Sequence, residues 1–122
     1  MDKEQCYHKF WSSFGLPAYD ERTVPETVTM PYITYELSTD SIGNSLQLSA
    51  SLWYHSLGWA AITQKADEIG RALGSGGMLL AYDGGAVWVV RGFPFTQRMD
   101  DPADSMVRRI RLAVNVEFLS ED

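Results

Sequence analysis

The chain has 122 residues, 45% of them hydrophobic and 21% charged, with a formal net charge of −6; this suits one domain with a core that needs no cross-links. An acidic balance repels phosphate and argues against a sheath around nucleic acid, without forbidding a local basic patch. A single cysteine, Cys6, excludes an intrachain disulfide; the polar start MDKEQCYHKF and the lack of an apolar run near the ~20 residues of a membrane span predict a protein made and kept in a cytoplasm.

Lys3 to Phe14 reads as a helix. Tyr7, Phe10, Trp11 and Phe14 recur at helical spacing, an aromatic stripe whose favoured reading is core. Asp2 can cap the start, with Gln5 three residues on as in a capping box, and Gly15 and Pro17 stop it. On this helix Cys6 reads as a buried thiol and His8 as a solvated side chain. Leu16 to Pro31 holds Pro17, Pro25 and Pro31 and little periodicity, which predicts an extended, semi-rigid arm. Tyr32 to Leu37 reads as a strand with Ile33, Tyr35 and Leu37 on one face. TDSIGNS reads as a turn. Leu46 to Tyr54 alternates cleanly, placing Leu46, Leu48, Ala50, Leu52 and Tyr54 together.

Trp59 to Leu73 reads as the second helix, through Trp59, Ile62, Ala66, Ile69 and Leu73. Ser56 is a candidate cap, Asp67 and Arg71 a supporting pair, Gly70 a weak point in the interior and Gly74 the end. MLLAY and AVWVV flank Asp83-Gly84-Gly85, a hairpin signal because these residues tolerate positive φ. Val107 to Leu119 is the last strand: Ile110, Leu112, Val114, Val116 and Phe118 alternate with Arg109, Arg111, Ala113, Asn115 and Glu117. The order α-β-β-α-β-β-β predicts an α+β fold, a mainly antiparallel sheet with two helices on one face, in a single domain over residues 1–122.

Groups that could converge on catalysis are missing from the sequence pattern. GSGGM (Gly74 to Met78) lacks a following Lys-Ser/Thr and precedes a strand, where a phosphate cradle needs a helix start. His8 and His55 are far apart, and no His/Cys set has metal-ligand spacing. Asp100, Asp101 and Asp104 lack the glycine and glutamate of a calcium loop. Neither enzymatic activity, nor a cofactor, nor a metal is expected.

What stands out is VVRGFPFTQRMDDPADSMVRRIRL, Val89 to Leu112. It reads as a long irregular excursion between two strands, where a few residues would suffice. Phe93 and Phe95 flank Pro94, with Met99 and Met106 nearby. Two exposed phenylalanines would present roughly 300 to 500 Å², the largest patch usual on a monomer. They are therefore expected in the core or, preferably, under another subunit. Arg109 and Arg111 share the polar face of the last strand, with Arg108 opposite. A solvated face that discourages edge pairing, a site for acidic groups of a neighbouring chain, and DNA contact all remain open for them.

The blocks LPAYDERTVP, PYITYEL, LSASLWYHS, ITQKADEIGRAL, YDGGAVWVVRGFPFTQRMDDP and VRRIRLAVNVEFL resemble the tail-terminator (tail-completion) proteins of long, non-contractile-tailed phages. Such proteins are often labelled minor capsid or head–tail joining proteins in prophages. The resemblance spans nearly the whole chain. It implies a homo-oligomeric, hexameric ring in the virion that caps the tail tube, ends its polymerisation and joins tail to head, after assembly in the host cytoplasm. The implied partners are further copies of the chain, the tail-tube protein and a head-completion or stopper protein; DNA passes through without specific binding, and no membrane is involved. On that footing the subunit or tube contact is expected at Arg91, Phe93, Phe95, Arg98, Met99, Arg109 and Arg111. An acidic loop of Asp100, Asp101 and Asp104 is expected to face the channel. Rival readings are another head–tail connector, such as a stopper or adaptor, and a small ligand-binding α+β domain built on the glycine-rich turn.

Overall fold

The structure, a computed structural model, describes residues 1–38 and 45–120; most of the expected TDSIGNS turn (39–44) lies outside the described residues. Helix α1 (Lys3–Ser12) begins at the expected capping box. The Gln5 N–H donates to Asp2 Oδ1 at 2.8 Å, and the Asp2 N–H donates to Gln5 Oε1 at 3.0 Å. Two orphan donors of the first turn are thereby satisfied. The aromatic stripe is buried throughout. Its rings meet edge to face, Phe10 on Trp11 at 4.8 Å and Phe10 on Phe14 at 5.4 Å. Cys6 is buried, whereas His8 is exposed with Nδ1 2.9 Å from the Tyr35 hydroxyl.

The expected arm holds a strand that its sequence does not announce. β1 (Ala18–Asp20) pairs in parallel with β2 (Tyr32–Tyr35). Three residues after a proline are too few to display a period. The remaining elements are β3 (Ser45–His55), α2 (Ala60–Leu73), β4 (Met78–Tyr82), β5 (Gly85–Met99) and β6 (Val107–Ser120). They form one six-stranded sheet in the order β1-β2-β3-β6-β5-β4, antiparallel at every pairing except β1 with β2. The fold is α+β, as the sequence pattern predicts, with the short β1 added.

β6 lies at the centre. Ile110, Leu112, Val114, Val116 and Phe118 face the helices, matched across β3 by Leu52, Ala50, Leu48 and Leu46. The sheet curls, so that α1 touches β1 near one edge and β4 and β5 at the other, while α2 lies across β3, β5 and β6. The β4–β5 hairpin turns through Asp83 and Gly84, the latter at φ +86°.

α2 departs from its expected supports. Trp59 is the N-cap and makes no side-chain capping bond; Ser56 Oγ instead accepts from the Gly58 N–H at 3.3 Å. The helix's ion pair is Lys65–Glu68 at 3.2 Å, not Asp67–Arg71. Lys65 Nζ also donates to the Phe14 carbonyl at 2.7 Å, which ties the end of α1 to α2. Gly74 closes the helix at φ +62°.

The hydroxyl of Tyr7 and the indole N–H of Trp11 are buried and, among the described residues, neither has a well-aligned hydrogen-bond partner, although the two groups interact with each other. Burial pushes the Tyr7 pKa well above its ordinary value. The stripe therefore stabilises through packing. Trp11→Ala should cost about 3 to 5 kcal/mol. Tyr7→Phe should change the denaturation midpoint little, because at most a poorly aligned contact of the hydroxyl with the Trp11 indole is lost.

Candidate functional site

The segment expected as an irregular excursion is mostly strand. β5 continues to Met99, and only residues 100–106 connect it to β6. The pairing runs regularly to Arg91↔Val114 and resumes at Thr96↔Leu112, so residues 92–95 stand opposite Ala113 alone. This bulge explains why the alternation was hidden. Helix-facing residues are odd-numbered before it (Val87, Val89, Arg91) and even-numbered after it (Thr96, Arg98). A period of two is lost when the parity changes within one strand.

Within the bulge each side chain has a different fate. The backbone of Gly92 lies against β6, where a Cβ would come within 3.0 Å of the Ala113 carbonyl oxygen. Phe93 is 97% exposed. The Phe93–Pro94 peptide is cis. Phe95 is half-buried against the core, on α2 at Gly70, where a Cβ would stand 3.2 Å from its ring. Gly70, a helix defect by propensity, is thus the seat of Phe95. Arg91 and Phe95 form a ridge between two open depressions. One, of about 520 Å³, is lined by Ser75, Val90, Phe93 and Pro94; the other, of about 310 Å³, by Ala66, Asp67, Gly70 and Arg71. The two phenylalanines are therefore separated, Phe95 as an anchor and Phe93 as a projection.

The arginines divide in the same way. Arg98 and Arg108 both lie over the Trp59 ring, at 4.6 and 5.4 Å from its centroid. Arg108 also donates to the carbonyls of Ser105 at 2.6 Å and Leu57 at 2.8 Å. On the opposite face Arg109 lies 4.6 Å over Trp53, and its Nε donates to Ser51 Oγ at 3.1 Å. Trp53 stacks on Tyr32, which meets Tyr19 edge-on. The only sequence signal of this aromatic row is aromatics at polar-face positions of separate strands. Arg91 and Arg111 are exposed, and Met99 is half-buried. Among the described residues no arginine is ion-paired with a carboxylate.

The three loop aspartates are not equivalent. Asp101 Oδ1 accepts from the Ala103 N–H, and Asp104 Oδ1 from the Met106 N–H, both at 2.8 Å. Asp104 Oδ2 is also 3.3 Å from His55 Nε2. Both carboxylates hold the turn, whereas Asp100 is exposed. Among the described residues no group of three His, Cys, Asp or Glu could hold a metal ion. In the glycine-rich turn the Gly76 carbonyl accepts from the Trp88 indole at 2.9 Å.

The fold has a solved counterpart. A chain of the structure described as the virion of a native gene transfer agent particle matches it with a TM-score of 0.56, over 89% of this chain and 83% of that one. The two are 16% identical, so the likeness is one of fold. No family model and no curated protein matches the chain.

The split between anchor and projection can be measured by chemical denaturation in dilute solution. Phe95→Ala should cost about 1 to 3 kcal/mol. Phe93→Ser should change stability by no more than about 0.5 kcal/mol.

Proposed function

We propose that this chain is a structural protein of a phage-like particle and acts there as a tail terminator. It forms a ring, hexameric by the family resemblance, that caps the tail tube, ends polymerisation and joins tail to head. The reading is non-enzymatic: the protein acts by shape and self-association. Its partners are its own copies, the tail-tube protein and a head-completion or stopper protein, and its place is the head–tail junction of the virion.

One observation carries the assembly part of this reading: Phe93 stands 97% exposed on a strand bulge fixed at both ends. An exposed bulky apolar side chain gains by being covered, and the strand pairing on either side of the bulge lowers the backbone-ordering cost of doing so. In the ring reading the patch makes a heterologous contact, which closes into a ring when its rotation closes. The likeness in fold to a chain of a gene transfer agent virion supports the particle as the setting. The sequence blocks support the terminator role.

In the ring, DNA must pass without sticking, and a negatively charged wall repels phosphates. Among the described residues the exposed Asp100 carboxylate has no hydrogen-bond or ion-pair partner, which suits a lumen-facing charge. Asp101 and Asp104 add charge while fixing the loop.

Added to polymerising tail-tube protein, the purified chain should bind tube ends and shorten the tubes. Tube lengths unchanged at stoichiometric excess would contradict termination, and end binding without shortening would favour a connector role. Asp100→Lys should leave the melting temperature unchanged and lower the yield of infectious particles. An unaltered yield would remove Asp100 from the channel.

A further inference from the structure

We propose that successive copies join head to tail through two different charged patches, the β5 bulge of one copy docking on the 20–31 arm of the next. This inference rests on the ring reading above and adds which surfaces make the contact.

The donor patch is the bulge and its surroundings. β4 pairs with β5 only as far as Met78↔Val89, so the bulge lies on an open flank of the sheet. Phe93 projects from it. Arg91 and Arg71 line the depression beside Phe95, both exposed and neither ion-paired. Asp67 is the one carboxylate there.

The acceptor patch lies on the opposite flank. Residues 20–31 carry Asp20, Glu21 and Glu26 against the single cation Arg22. Glu21 and Glu26 are exposed, and the half-buried Val24, Val28 and Met30 offer an apolar seat among them. The arm's start is anchored: the Arg22 N–H donates to Asp20 Oδ1, the Thr23 N–H to the Asp20 carbonyl and the Glu21 N–H to the Tyr35 carbonyl, each at 2.9 Å. The chain therefore bears a basic, Phe-tipped patch on one side and an acidic one on the other. Opposite potentials of this kind select partner and register.

The sheet register adds a geometric match. One row of paired residues runs Asp20↔Tyr35, Tyr35↔Ala50, Ala50↔Leu112 and Leu112↔Thr96. The arm's start and the bulge's end thus stand at the same height along the strands, on opposite flanks. Two different patches on opposite flanks make a heterologous contact, which closes into a ring when its rotation closes.

The test is charge reversal, read by sedimentation velocity and native mass spectrometry in solution and by imaging on tail tubes. Arg71→Glu with Arg91→Glu should weaken association roughly tenfold or more, as should Glu21→Arg with Glu26→Arg. The chain carrying all four reversals should regain association. Phe93→Ser should weaken association without altering the dilute melting temperature, which also verifies the fold of each variant. Closed rings that survive both separate reversals would overturn this interface and leave the ring intact. Failure of the combined variant to recover would overturn the pairing of these two patches. A chain that stays monomeric in solution and on tubes would overturn the ring and the interface with it.

Discussion

Residues 92–95 of β5 have to be accommodated opposite a single residue, Ala113, of β6. β6 cannot yield, because it is the central strand and four of its side chains, Leu112, Val114, Val116 and Phe118, are fully buried. The excess length must therefore leave the sheet on the β5 side. Two absences of a side chain decide how it leaves. Gly92 lets the backbone stay close to Ala113, and Gly70 lets Phe95 fold back onto α2. Between these fixed points Phe93 has nowhere to go but outward. The projection is thus enforced by strand pairing and helix packing together, and does not depend on a flexible loop.

The same constraint accounts for what the sequence does and does not disclose. Elements with an unbroken period were legible: the aromatic stripe of α1, the apolar face of α2, the alternation of β3 and β6, and the Asp83–Gly84 turn. The far half of β5 was not, since three surplus residues change the parity of its inward positions and imitate irregular chain. β1 was hidden by its length of three residues and by its pairing with a strand that arrives only after the proline-bearing arm. Gly70 could be read only as a loss of helix propensity until its neighbour across the fold was known.

The candidate site was legible in composition and not in role. Arg91, Phe93, Phe95, Arg98 and Met99 do lie on one strand, yet contacts between distant segments set each one's part. Arg98 and Arg108 are brought to Trp59 from two strands, and Arg109 to Trp53. Such cation–π contacts, together with Arg108's bonds to carbonyl oxygens, hold these guanidinium groups without neutralising them. Arg71, Arg91 and Arg111 keep their charge at the surface. In a chain of net charge −6 this leaves Arg71 and Arg91 beside the bulge and Glu21 and Glu26 on the arm after β1 as exposed charges of opposite sign. Charges so placed favour alignment of identical molecules in one direction. Asp101 and Asp104, grouped with Asp100 by type, turn out to be fasteners of the loop that returns the chain to β6.

The central claim is that the bulge exists to be covered by another copy of the same chain. A reconstruction by electron microscopy of the protein assembled at the end of a tail tube tests this most directly. The account predicts a closed ring in which Phe93 of every copy is buried against its neighbour. A ring in which Phe93 faces solvent or the lumen, with the subunits joined elsewhere, would contradict it.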